Sequence, residues 1–115
     1  MRKIREYAGR ATYFLVIAAA IHGLSASAAD GATLAEKNRC VACHDTDRTL
    51  IGPSYKAIAA RHSANKHIMV EVLAQKIVIG GAGNWGVVPM VPNDHVSLEE
   101  ARAISRWILD LQQAR

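Results

Sequence analysis

The chain has 115 residues, enough for one small domain. Half of them are hydrophobic but only 5% are aromatic, so a core of this length has room for another bulky apolar object. Two cysteines are too few for a disulfide scaffold or a four-thiolate metal site, and the formal charge of +4 invites a nucleic-acid reading that the placement of the charges removes.

The first ten residues carry Arg2, Lys3, Arg5 and Arg10 against Glu6. An apolar run follows over 11–24, and then Ala26-Ser27-Ala28. A basic start, a short apolar stretch and an Ala-x-Ala site are the marks of a secretory signal peptide, here 1–28. His22 and Gly23 interrupt the run, which is shorter than the roughly 20 residues of a membrane span, so an uncleaved anchor is the weaker reading. Cleavage leaves a domain at 29–115 with ten basic and nine acidic residues, a net charge of +1. The basicity belongs to the export signal. No basic stripe with interleaved aromatics is left for a nucleic acid, and the mature chain is expected in a bacterial periplasm with no membrane insertion.

Thr33-Leu34-Ala35-Glu36 is a capping box that opens a first helix, predicted to run to about Cys43. Pro53-Ser54 starts a short second helix through about Arg61. A third runs from about Lys66 to Ile79, with Met69, Val72, Leu73 and Ile77 at amphipathic spacing, and Gly80-Gly81 stops it. Ser97-Leu98-Glu99-Glu100 is a second capping box, opening a last helix to about Gln113 with Ala101, Ile104, Trp107, Ile108 and Leu111 on one apolar face. Trp107 reads as ordinary core packing. No alternating strand pattern is present, so the expected class is all-α.

The two cysteines fall in Cys40-Val41-Ala42-Cys43-His44. A thioredoxin-type dithiol needs a strand before the pair, and a zinc site needs further thiolates or a compact histidine pair; His62 and His67 are poorly spaced for that. Cys-x-x-Cys-His is the attachment pattern of c-type haem. On a helical turn, positions i and i+3 share a face, so both thiols reach the two vinyl groups on one haem edge. The next histidine then offers a nitrogen to the iron.

With His44 on one side of the iron, the other side separates a closed electron carrier from an open gas or peroxide site. Met69 lies on the third helix and reads as core packing. Met90 lies between Pro89 and Pro92 after a glycine-rich loop, an extended and locally rigid segment able to press a soft thioether against a metal. Met90 is the expected ligand. His62, His67 and His95 read as solvated loop residues.

These residues resemble those of the small bacterial class I cytochromes c, the cytochrome c-551/c-552 (c8) group. The resemblance rests on Cys40-Val41-Ala42-Cys43-His44, Ile51-Gly52-Pro53-Ser54-Tyr55-Lys56, Asn84-Trp85-Gly86, Val88-Pro89-Met90-Val91-Pro92-Asn93 and the final Ala103-Ile104-Ser105-Arg106-Trp107-Ile108 helix. It implies about four helices wrapped around one haem c attached through Cys40 and Cys43, with His44 the proximal and Met90 the distal iron ligand. It further implies that the Pro53 carbonyl accepts the His44 N–H, that Trp85 and Lys76 hydrogen-bond a haem propionate, and that Asn93 hydrogen-bonds the Met90 sulfur. Val91 stands where many relatives have proline, and Ala35 where some have phenylalanine, so packing between the first and last helices must be made up elsewhere.

The function so implied is that of a monomeric periplasmic electron carrier, not an enzyme, between a donor and an acceptor such as a nitrite reductase, a terminal oxidase or a cytochrome c peroxidase. Its contact rim is expected at Val41, Ala42, Ile51, Val88, Pro89 and Val91. Two alternatives stand beside it: a haem c subunit of a dehydrogenase or oxidase complex, and a gas sensor with a labile methionine.

Overall fold

A computed structural model describes residues 28–111. The signal-peptide reading therefore falls almost wholly outside the described residues. Four helices account for most of the rest: α1 (Ala28–Lys37), α2 (Tyr55–Arg61), α3 (Lys66–Ile79) and α4 (Leu98–Asp110). Two 3-10 turns, Cys40–Ala42 and Ser63–Asn65, precede α2 and α3. Extended pairing among the described residues amounts to two isolated bridges, His44 with Thr49 and Gly81 with Met90.

The amphipathic α4 is the hub, contacting α1, α2 and α3. Its start is the expected capping box: the Ser97 hydroxyl accepts from Glu100 N at 3.1 Å and the Glu100 carboxylate accepts from Ser97 N at 3.2 Å. Its inner face supplies Ala101, Ile104 and Ile108 to a core completed by Ala35, Tyr55, Ile58, Ala74, Ile77 and Val96. Ser105 is fully buried and satisfies its hydroxyl on the Ala101 carbonyl at 2.8 Å. The Arg102 guanidinium clamps the Glu71 carboxylate with two bonds, 2.7 and 3.0 Å, tying α4 to α3.

The predicted first helix is shifted at both ends. Thr33 lies inside α1 rather than at its start, because small residues carry the helix back to Ala28. Gly31 lets it lie tight on α4, since a Cβ there would stand 2.2 Å from Trp107 Cβ. Trp107 packs partly buried against the core to which Ala35 belongs. At the other end α1 stops at Lys37, not Cys43. The Asn38 amide donates to the Leu34 carbonyl at 2.9 Å and Arg39 turns left-handed at φ 61, so the helical ladder cannot continue.

Two other expectations need correction. Helix α3 is apolar on its outer side as well: Ile68, Val72 and Ile79 are exposed, and its buried residues are Ala74 and Ile77. Met69 is half-buried on that helix rather than a member of the core. Gly80 caps α3 as expected, its N–H bonding the Lys76 carbonyl at 2.8 Å.

Candidate haem site

The left-handed step at Arg39 folds the chain into the 3-10 turn Cys40–Ala42. The Cys40 carbonyl accepts from Cys43 N at 3.1 Å and from His44 N at 2.9 Å. Both thiols and the imidazole thus hang from one turn. The thiols are free and half-buried. Burial, with Cys43 adding to it, pushes the Cys40 thiol above its ordinary value despite an opposing backbone hydrogen bond.

The loop after His44 is built to return a carbonyl to it. Asp45 accepts from the backbone N–H groups of Asp47 and Arg48, both at 2.9 Å, and those bonds hold its carboxyl below the usual carboxylate range. Gly52 N donates to Cys43 O at 2.8 Å and Tyr55 N to Asp45 O at 2.9 Å. The outcome is His44 Nδ1 at 2.7 Å from Pro53 O. A carbonyl can only accept, so Nδ1 carries the proton and, in the neutral ring, Nε2 keeps its lone pair for a metal. Gly52 lies flat against the ring: a Cβ there would be 2.5 Å from His44 Cε1.

Tyr55 covers the His44 ring, with centroids 5.6 Å apart and planes 21° from parallel, and Trp107 meets Tyr55 edge-on at 4.9 Å. The Tyr55 hydroxyl is buried with no protein hydrogen-bond partner, and burial pushes its pKa strongly upward, with Cys40 and Asp45 adding to the rise. Sequence reasoning gave Tyr55 no role. Its signal was there, one of few aromatics directly after Pro53-Ser54 at the mouth of a helix.

The glycine-rich loop after α3 closes on itself at its root. Gly81 N donates to Met90 O at 2.9 Å and Met90 N to Gly81 O at 2.8 Å. Met90 packs half-buried against the core. The Lys76 ammonium lies over Gly81, 2.7 Å from where a Cβ would stand. Asn93 donates its side-chain amide to Ile77 O in α3 at 3.1 Å and to Val91 O within the loop at 3.2 Å, so both amide bonds go to carbonyls and not to the Met90 sulfur. Trp85, 44% exposed, sits under the Arg61 guanidinium at 4.6 Å. His62 caps α2, and His67 and His95 are exposed.

Among the described residues no three His, Cys, Asp or Glu side chains gather into a metal-ion cage. The residues do fit haem: two thiols on one turn, an imidazole nitrogen left free, a buried hydroxyl without a protein partner and a methionine whose backbone is bridged to Gly81. The sequence model of the family described as Cytochrome c matches residues 28–112. The chain belongs to the cytochrome c family. It is 46% identical over 81 residues to cytochrome c-552 of Nitrosomonas europaea, covering 70% of this chain and 78% of that protein. It is 41% identical over 78 residues to cytochrome c-551 of Allochromatium vinosum, covering 68% of this chain and 82% of that protein. The crystal structure of the Nitrosomonas europaea cytochrome c552 superposes with a TM-score of 0.66 over 70% of this chain and 98% of that one.

As a cytochrome c of the c-551/c-552 group, the chain is an electron carrier with covalent haem c, and Cys40-Val41-Ala42-Cys43-His44 is its attachment motif. Its small all-α fold agrees with the same relatives.

Proposed function

We propose that this cytochrome c carries single electrons in the periplasm, with its haem iron held between His44 and Met90. The observation that carries this reading is the His44–Pro53 contact at 2.7 Å, which leaves Nε2 as the nitrogen for iron. When bound, haem c supplies a one-electron Fe(III)/Fe(II) couple. The protein's own residues orient and enclose it. Pro53 holds the imidazole in one tautomer and raises its basicity, while Tyr55 and Gly52 both pack against the ring. The Gly81–Met90 bridge and the Asn93 amide hold the Met90 loop, and a thioether ligand raises the potential relative to a second imidazole. Lys76 and the Trp85 indole N–H serve a propionate.

Location in the periplasm rests on the sequence of residues 1–28, and no helix among the described residues is long and apolar enough to cross a membrane. Donor and acceptor proteins would meet an apolar rim. Ile51, Val88 and Val91 are each more than 60% exposed and Val41 49%, a surface suited to the small, short-lived contacts of electron-transfer encounters. The carrier acts as a monomer.

The test is the absorption spectrum of the purified holoprotein, oxidised and reduced, with and without carbon monoxide. A closed site gives a methionine–iron charge-transfer band in the oxidised form and no carbon monoxide shift in the reduced form, and Met90→Ala loses the band and binds the gas. Ready carbon monoxide binding by the unaltered protein would overturn the carrier reading in favour of a sensor.

A further inference from the structure

The tip of the glycine-rich loop has almost no packing of its own. Residues 81–89 are exposed, and a Cβ placed at Gly83 or Gly86 would meet nothing within 4 Å. Its internal tie is a turn closed by Gly83 N on Gly86 O at 3.0 Å, and its root is the Gly81–Met90 bridge. Yet this tip carries Trp85, the residue assigned above to a propionate.

A side chain from elsewhere in the fold supplies the missing support. Arg61, the last residue of α2, lays its guanidinium over the Trp85 ring at 4.6 Å and donates from Nη1 to the Asn84 carbonyl at 2.5 Å. One planar group therefore grips the indole face and the adjacent backbone together. α2 is itself anchored, with Ser54 capping its start and Tyr55, Ile58 and Ala59 buried, so the grip is mounted on a fixed element.

We propose that Arg61 is a positioning residue that seats Trp85, and with it the tip of the methionine loop, at the propionate edge of the haem. It acts through the shape of its guanidinium and not through charge alone. An ammonium at this position would keep the charge but cannot stack flat on the indole while bonding Asn84 O. This rests on the reading that Trp85 faces a propionate, and the two parts fail separately.

The experiment uses the reduced, haem-loaded protein labelled with nitrogen-15, with haem attachment verified for each variant from its absorption spectrum. The Trp85 indole N–H is assigned by its loss in Trp85→Phe, and its position and hydrogen-exchange rate are compared in the unaltered protein, Arg61→Gln and Arg61→Lys. Both substitutions are expected to move the Trp85 signal and speed its exchange about 2- to 5-fold, the scale of a partly exposed cation–π contact. The Trp107 indole signal should stay in place, and the reduction potential should move in the same direction in both variants. An unchanged Trp85 signal in Arg61→Gln, or full retention in Arg61→Lys, would overturn the proposal. If Trp85→Phe leaves the potential unmoved while Arg61→Gln still shifts the indole, the propionate reading falls and the seating of Trp85 by Arg61 stands.

Discussion

His44 Nδ1 lies 2.7 Å from the carbonyl oxygen of Pro53. That one distance fixes the tautomer of the imidazole and leaves Nε2 its lone pair, so it organises everything proposed for the iron. It is made by a chain of short-range choices: the left-handed step at Arg39, the side-chain turn at Asp45 and the flat approach of Gly52.

Gly52→Ala tests that construction. A methyl group 2.5 Å from His44 Cε1 must tilt the ring or displace the loop. Overpacking of this kind costs about 1–3 kcal/mol. Denaturant unfolding of the holoprotein should show that loss, accompanied by a shifted reduction potential. An unchanged potential and midpoint would mean that the ring has more freedom than the contact distances allow.

Ser97→Ala addresses the start of α4. The substitution removes the acceptor for Glu100 N and breaks the reciprocal pair at the hub helix. A loss of about 1 kcal/mol is expected, read as a lower unfolding midpoint with an unchanged haem spectrum. Ser97→Asp should recover most of it, since a carboxylate also accepts from the first-turn amides.

The clamp of Arg102 on Glu71 gives a pH dependence. The hydrogen bond from Arg102 holds the Glu71 carboxyl below its ordinary value of 4.5. A carboxylate whose pKa is lower in the folded than in the unfolded state adds stability above the unfolded value and loses it as pH falls through the folded one. Stability should therefore decline below about pH 4.5, and Glu71→Gln should be less stable at neutral pH and show a shallower decline. Equal slopes for both proteins in unfolding at several acidic pH values would exclude the contribution. The groups are exposed, so added salt should weaken the effect.

Much of the fold and site is legible in the sequence where the cause is local. The Ser97 capping box and the glycine stop after Ile79 depend on residues a few positions apart, and the structure agrees with both. The contact from Pro53 to His44 follows from family resemblance and is found at hydrogen-bonding distance. The end of α1 is misread because a helix-compatible run continues past Lys37, and only the Asn38 amide and the left-handed Arg39 break it. The exposed face of α3 is misread because Val72 and Ile77 look alike in a pattern, and only packing decides which of them α4 covers. Arg61 is invisible from sequence. Its partners Asn84 and Trp85 lie across a loop whose path no local pattern specifies.

In the ligation proposed above, Met90 rather than Met69 would supply the iron ligand that His44 does not. The most direct measurement is the nuclear magnetic resonance spectrum of the reduced holoprotein with carbon-13 in its methionine methyl groups. One methyl signal shifted far upfield by the haem ring is expected, present in Met69→Leu and absent in Met90→Ala. A strongly shifted signal that survives Met90→Ala, or no shifted methionine methyl at all, would contradict it.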